Sequence, residues 1–202
     1  ALRYLPLYQL ILLIGRVKFM TLGPVDIFNG LLSIVIVSTY FVVGLNIASR
    51  YFKKKKKEFL YLGICWAGIS SPWWPSSVTF IMYIATETTL PLRFYLIIGN
   101  AFIPFLLHLW IAGLSNLIFK KWKRKLLILY GIIGVIFEIG FFLCLRYDVS
   151  VLGELQSAVD IKYSKFLLIY IAYVIGAIIL SGLLLANYSI KTKDRELELK
   201  GK

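Results

Sequence analysis

Histidine, cysteine and acidic residues are scarce in this sequence, and the first two scarcities each exclude a class of protein. The 202 residues include one His, two Cys and 10 Asp or Glu, against 23 Lys or Arg. A single histidine excludes a multi-histidine metal or haem site, and two cysteines are too few for a disulfide-stapled secreted module. The chain also contains no phosphate-binding loop and no HExxH, CxxC or GxSxG motif. We therefore expect no catalytic residue, no metal site, no cofactor and no enzymatic activity.

Apolar residues, by contrast, are in excess. They make up 59% of the chain, and the mean hydropathy is +0.80, whereas a soluble domain is roughly 45–50% apolar. A soluble fold of this length buries only about 70% of its unfolded surface, so much of this apolar content would face water. The same composition excludes disorder. We therefore expect a multi-pass protein of the cell membrane.

The apolar runs predict an all-α fold, namely a polytopic bundle of transmembrane helices. About 20 apolar residues are needed to cross the ~30 Å hydrocarbon layer as a helix. Residues 21–190 form the expected bundle, and they contain five qualifying stretches, at 27–49, 59–85, 92–119, 126–145 and 166–188.

The first 20 residues form a separate segment. Its apolar run, 5–14, is too short to span and precedes Arg16 and Lys18, so we expect an interfacial or partial helix. If residues 2–20 cross the membrane, the count becomes six. A signal peptide is the alternative, although the segment lacks an early basic cluster followed by a small-residue cleavage site. The chain begins at Ala1, which leaves an upstream truncation open.

Basic residues predict the orientation. Sixteen of the 23 Lys and Arg residues fall at the ends that follow the first, third and fifth spans, and four fall at the opposite ends. Since cytoplasmic loops retain basic residues, the C-terminus and the charged tail 191–202 are expected in the cytoplasm. Topology thus accounts for most of the positive charge, and nucleic acid is not an expected partner. Anionic lipid headgroups are an expected partner. The residues predicted to contact them are Lys53, Lys54, Lys55, Lys121, Lys123 and Arg124.

Two ionisable residues, His108 and Glu138, lie near the middle of predicted spans. Each costs at least ~2.5 kcal/mol there on insertion scales, so it usually faces the bundle interior and indicates function. Glu138 shares a helical stripe with Gly131 and Gly134, whose small size favours close helix contact. We predict that His108 and Glu138 lie near each other. The alternatives are a neutral carboxyl bonded to a neighbouring helix and a histidine used only in packing.

The third span carries a polar seam, and the second contains the motif SSPWWPSS at 70–77. In the third span Asn100, Pro104 and His108 are spaced by four residues. In the second, two prolines three residues apart predict a kinked or broken helix. The alternative is an interfacial tryptophan belt, if the span ends near residue 69.

Pairs of small residues spaced by four predict places where a neighbouring helix approaches closely. Three such pairs occur, each on one predicted helix: Gly44 and Ala48, Gly63 and Ala67, and Ala172 and Gly176.

Broken helices at membrane depth commonly mark binding sites, so these polar groups predict a ligand pocket in the half of the bundle that opens outward. Its candidate residues are His108, Glu138, Asn100, Trp73, Trp74, Ser76, Tyr170 and Tyr173. The leading hypothesis is a non-catalytic receptor or sensor that binds a small or lipid-like ligand there. The alternatives are a small proton-coupled transporter and an accessory or scaffold subunit of a membrane complex.

The predicted architecture resembles the multi-span input domains of membrane histidine kinases. It shares with them several short-looped spans, a basic inner face and a helical tail. The resemblance covers about 170 residues of architecture and no motif. It implies a sensor role. We expect no kinase domain after the tail that starts at Lys191, so a signal would pass to a separate protein partner or to another copy of the chain.

Overall fold

The structure is a computed structural model that describes residues 22–192, of which 82% are helical. The expected N-terminal interfacial helix (1–20) lies outside the described residues, as does the charged tail after residue 192. The helices are α1 Pro24–Lys54, α2 Lys57–Ile69, α3 Trp74–Thr86, α4 Leu92–Asn100, α5 Ile103–Leu117, α6 Lys123–Tyr147 and α7 Lys165–Thr192.

Among residues 22–192, four helical segments are long and apolar enough to cross a membrane. They are α1, the α4–α5 pair (Leu92–Leu117), α6, and the Lys165–Tyr188 part of α7. In the most apolar 18-residue stretch of α4–α5, half of the residues are buried, whereas only 11% are buried in the corresponding stretch of α1. The α4–α5 pair is therefore the central element. Large apolar side chains on the outer faces of the other helices, such as Phe28, Leu45 and Ile136, are exposed. The expectation of a helical membrane protein is confirmed at this level.

The predicted second span is broken, as the two prolines indicate. It consists of α2 and α3, each 13 residues long, joined by the short 3-10 helix Ser71–Trp73. Pro72 and Pro75 each lie at the first or second position of the 3-10 helix and of α3, where a missing N–H costs little. The third predicted span is also divided, because α5 begins at Ile103, next to Pro104, after a turn at residues 101–102.

Close contacts between small residues join α1 to α2. A Cβ placed on Gly63 would lie 2.6 Å from the Gly44 carbonyl oxygen and 2.6 Å from the Ala48 backbone nitrogen. The predicted contacts of Gly44, Ala48, Gly63 and Ala67 are therefore confirmed. The predicted contact at Gly176 is not found among residues 22–192, where no neighbouring element lies within 4 Å of a Cβ built there; small residues at this spacing permit close approach but do not require it.

The glycines also show that α2 and α5 are antiparallel. Gly68, near the end of α2, faces Leu106 near the start of α5, and Gly113, near the end of α5, faces Leu62. The end of α5 therefore lies beside the start of α2, which follows the end of α1. As a result, the lysines at 53–57 and the basic loop at 120–125 lie at the same end of the bundle, called here the basic end.

The stretch 146–165, expected to be a loop, contains a short 3-10 helix (Val149–Val151) and a β-hairpin. Strands β1 (Gly153–Leu155) and β2 (Ile161–Tyr163) pair antiparallel, with Gly153 opposite Tyr163. The hairpin loop closes through the Asp160 carbonyl, which accepts from the Gln156 backbone N–H at 3.0 Å. Strands of three residues are too short to show a period-two pattern, so the all-α expectation did not include them. The hairpin lies at the end of the bundle opposite the basic end.

Candidate ligand-binding site

Serine side chains add hydrogen bonds at the break between α2 and α3. Ser70 Oγ donates to the Ala67 carbonyl at 2.8 Å and accepts from Trp74 Nε1 at 2.9 Å. Ser77 Oγ donates to the Trp73 carbonyl at 3.0 Å. These bonds tie serine side chains to the backbone on both sides of the irregular turn.

Tyr95 joins α4 to α3 and to the hairpin loop. Its hydroxyl lies 2.6 Å from Ser76 Oγ and donates to the Val159 carbonyl at 3.0 Å. Since the phenol has one hydrogen, Ser76 must donate to Tyr95. Tyr95 is 1% exposed, so this buried pair of bonds fixes the hairpin loop against the helices.

Tyr163, at the end of β2, extends from the hairpin to the helical bundle beside Asn100. Asn100 is fully buried; its Nδ2 donates to the Leu96 carbonyl at 3.0 Å, while its Oδ1 has no hydrogen-bond partner. The Tyr163 hydroxyl is likewise buried, and within residues 22–192 no group meets it with hydrogen-bond geometry, although Asn100 is its polar neighbour. Burial raises the pKa of Tyr163; the Asn100 side chain opposes this shift and the Asp160 carboxylate adds to it. The phenol is therefore neutral at physiological pH and able to donate.

A cavity of about 410 Å³ lies between the break, α5, α7 and β2. Its wall is apolar over most of its area, with Leu106 and Val174 among the lining residues. Two hydroxyl-bearing residues of the wall, Ser71 and Tyr163, have buried oxygens without partners. Ser71 is 1% exposed. Such a wall suits an apolar molecule that carries a hydrogen-bond-accepting head.

Four of the predicted site residues lie at or next to the break, and one of them lines the cavity. Trp73 is part of the wall. Trp74 instead contacts Phe41, with ring centroids 5.7 Å apart, and donates to Ser70. Ser76 is occupied by Tyr95, and Asn100 adjoins Tyr163 without being part of the wall.

Tyr170 and Tyr173 face α6 rather than this cavity. The ring of Tyr170 stacks on Phe137 with centroids 3.5 Å apart, and that of Tyr173 stacks on Tyr130 at 6.2 Å. The cavity is bordered by a different face of α7, which includes Leu168, Ile171 and Val174. These two tyrosines thus belong to the interface between α6 and α7.

His108 and Glu138 lie away from the cavity wall and apart from each other along the helices. A Cβ on Gly131 would lie 3.7 Å from the His108 ring, and one on Gly134 would lie 3.1 Å from Pro104. Glu138 is seven residues beyond Gly131, about 10 Å along α6, and is close enough to Tyr170 for electrostatic interaction. Within residues 22–192, neither His108 nor Glu138 makes a hydrogen bond or ion pair.

The predicted headgroup residues fall into two clusters at the basic end. Lys53 and Lys54 form the last turn of α1, and Lys55 ends that helix in a left-handed conformation with φ 54°. Lys121 lies in the α5–α6 connection, and Lys123 and Arg124 begin α6. In the described part of the chain, no three His, Cys, Asp or Glu side chains are grouped to hold a metal ion.

Sequence reasoning did not identify Tyr95 or Tyr163 as parts of this region. Each is one of 13 tyrosines, and neither has a distinctive local spacing. Their roles depend on the hairpin, which brings Val159 to Tyr95 and Tyr163 to Asn100. Comparisons of the chain with family models, with curated proteins and with solved structures found no match.

Proposed function

We propose that this protein is a non-catalytic receptor or sensor of the cell membrane that binds a small amphipathic or lipid-like ligand in the cavity beside the helix break. The observation that carries this proposal is Ser71 Oγ, which is buried without a partner among residues 22–192 and belongs to a residue that lines an apolar cavity. A buried hydroxyl without a partner costs about 1–3 kcal/mol. A ligand that accepts a hydrogen bond there recovers that energy.

The proposed topology has five spans and a cytoplasmic C-terminus. Neither α2 nor α3 alone, at 13 residues each and ~20 Å in length, crosses the ~30 Å hydrocarbon layer, whereas the two together do. The lysines after α1 and those after α5 lie at one end of the bundle, which supports placing that end in the cytoplasm. The hairpin and the cavity beside β2 then belong to the outer half.

The break gives a physical route for a signal. The 3-10 turn lacks the continuous hydrogen bonds of an α-helix, so α2 and α3 can change their relative angle at a lower cost than an intact span. A ligand between this turn and α7 changes that angle, and α2 transmits the change to the basic end through its contacts with α1 and α5. A separate partner, or a second copy of the chain, receives it there, as in the histidine kinase input domains that the architecture resembles.

Removal of the two unpartnered hydroxyls tests the binding site. The probe is a brominated medium-chain fatty acid methyl ester, whose carbonyl accepts hydrogen bonds and whose bromines quench tryptophan. We expect saturable quenching of Trp73 in the detergent-purified chain, identified by subtracting the Trp73→Phe variant. Ser71→Ala and Tyr163→Phe should each weaken binding about 2- to 12-fold, the range of one hydrogen bond, without lowering the thermal unfolding temperature.

Two variants at exposed residues are the controls, because they make the same chemical changes away from the cavity. Ser38→Ala and Tyr147→Phe remove the same hydroxyls from exposed residues and should leave the binding curve unchanged. Quenching that rises linearly with the probe, or that is equal in wild type and in Ser71→Ala, would show that the cavity does not bind amphiphiles in this way. Glu138→Gln is expected to bind the probe normally, since Glu138 does not line the cavity.

A further inference from the structure

A second cavity, of about 390 Å³, lies at the basic end between α5, α6 and α7. Leu114 and Ser115 contribute to its wall from α5, Trp122 and Leu126 from the start of α6 and the turn before it, and Ala177 and Leu184 from α7. Most of these side chains are apolar. The cavity therefore has the character of a site for an acyl chain rather than for a soluble polar ligand.

The charge beside this cavity is strongly positive. Five of the six residues at 120–125 are Lys or Arg, and no acidic residue occurs between residues 88 and 137. The Lys125 ammonium lies over the ring of Trp122, 5.0 Å from its centroid, which places one of these charges next to a residue of the cavity wall. An apolar cavity bordered by several cations between transmembrane helices suits an anionic lipid.

Ser115 supplies a polar group between these two regions. It is fully buried and lines the cavity, and its Oγ has no hydrogen-bond partner within residues 22–192. It lies two residues before the end of α5 at Leu117, whereas Lys120 lies in the connection that follows, so Ser115 is deeper in the bundle than the basic residues. In a glycerophospholipid the ester carbonyls likewise lie below the phosphate, toward the acyl chains. When the phosphate of such a lipid meets the basic residues, its ester carbonyls therefore fall near the level of Ser115.

We infer that this cavity binds one anionic glycerophospholipid, with an acyl chain between α5, α6 and α7 and its phosphate at residues 120–125. The site is distinct from the cavity beside the helix break. The inference therefore does not depend on the function proposed for that cavity.

Lipid selectivity at Trp122 tests the inference. The full chain is placed in phosphatidylcholine nanodiscs that contain equal mole fractions of acyl-brominated phosphatidylglycerol or acyl-brominated phosphatidylcholine. Quenching of Trp122, obtained by subtracting the Trp122→Phe variant, should show a preference of roughly tenfold or more for the anionic lipid, since each basic residue near anionic lipid contributes about fivefold at low salt. Added glycerol phosphate should not displace the lipid.

Charge-matched variants separate a specific site from general attraction to basic residues. The triple variant Lys121→Gln, Arg124→Gln, Lys125→Gln should lose most of the preference. The triple variant Lys53→Gln, Lys55→Gln, Lys57→Gln removes the same charge from the α1–α2 connection and should keep it. Ala177→Phe, which fills the cavity, should reduce quenching by both lipids. Equal quenching by both lipids in the wild type, equal losses in the two triple variants, or displacement by glycerol phosphate would each overturn the inference.

Discussion

Gly63→Val is expected to separate α1 from α2 and to destabilise the bundle by about 3 kcal/mol or more. A Cβ at this position would lie 2.6 Å from the Gly44 carbonyl oxygen and 2.6 Å from the Ala48 nitrogen. Both are backbone atoms, which cannot move aside as a side-chain tip can, and overpacking of a well-packed contact already costs about 1–3 kcal/mol. The measurement is the midpoint of unfolding by sodium dodecyl sulfate in mixed micelles.

Gly176→Val is the matched control for this substitution. It adds the same side chain to a helix of the same bundle, but in the described part of the chain no neighbouring element lies within 4 Å of its Cβ position. Because valine has a higher helix propensity than glycine, this variant should be as stable as the wild type or slightly more so. Gly44→Val should resemble Gly63→Val, since a Cβ there would lie 2.6 Å from the Gly63 carbonyl oxygen. A wild-type midpoint in both Gly63→Val and Gly44→Val would contradict the close α1–α2 contact.

Features that depend on local covalent geometry could be predicted from the sequence. Pro72 and Pro75 restrict the backbone wherever they occur, and the break between α2 and α3 lies where they predict it. The lipid-facing character of the helices follows from composition alone. The small residues at Gly44 and Gly63 indicated helix faces that a neighbouring helix approaches closely, and α1 and α2 do approach each other there. The same pattern at Gly176 meets no neighbouring element among residues 22–192. Which surface meets a neighbour depends on the arrangement of the other helices.

The candidate site depended on information that the sequence does not carry locally. Counting residues from the span ends gave His108 and Glu138 similar depths, but the register of α5 against α6 is set by Gly134 against Pro104. This register offsets the two ionisable residues by about two helical turns. The hairpin pairing of Gly153 with Tyr163 is equally non-local. It determines which tyrosine reaches Asn100, and no periodicity in the stretch 146–165 indicates it.

Tyr95→Phe is expected to release the hairpin loop from the helices and to cost about 1–3 kcal/mol of stability. The substitution leaves the ring in place but removes the hydroxyl that accepts from Ser76 and donates to the Val159 carbonyl. The Val159 carbonyl then loses a partner in a residue that is 1% exposed, which accounts for the expected cost. Amide hydrogen exchange across residues 153–163 should accelerate, because this bond ties the loop to α4.

Two further variants separate the hairpin bond from the bond within the helices. Ser76→Ala removes the 2.6 Å contact with Tyr95 but leaves the Tyr95–Val159 bond intact, so stability should fall while exchange in the hairpin stays near that of the wild type. Tyr147→Phe removes a hydroxyl from a side chain that is 78% exposed and should change neither quantity. Since Tyr163 reaches the cavity wall from the same hairpin, Tyr95→Phe should also weaken binding of the brominated ester, whereas Tyr147→Phe should not. Unchanged hairpin exchange in Tyr95→Phe would show that β1–β2 pairing alone holds the loop, and that the position of Tyr163 does not depend on α4.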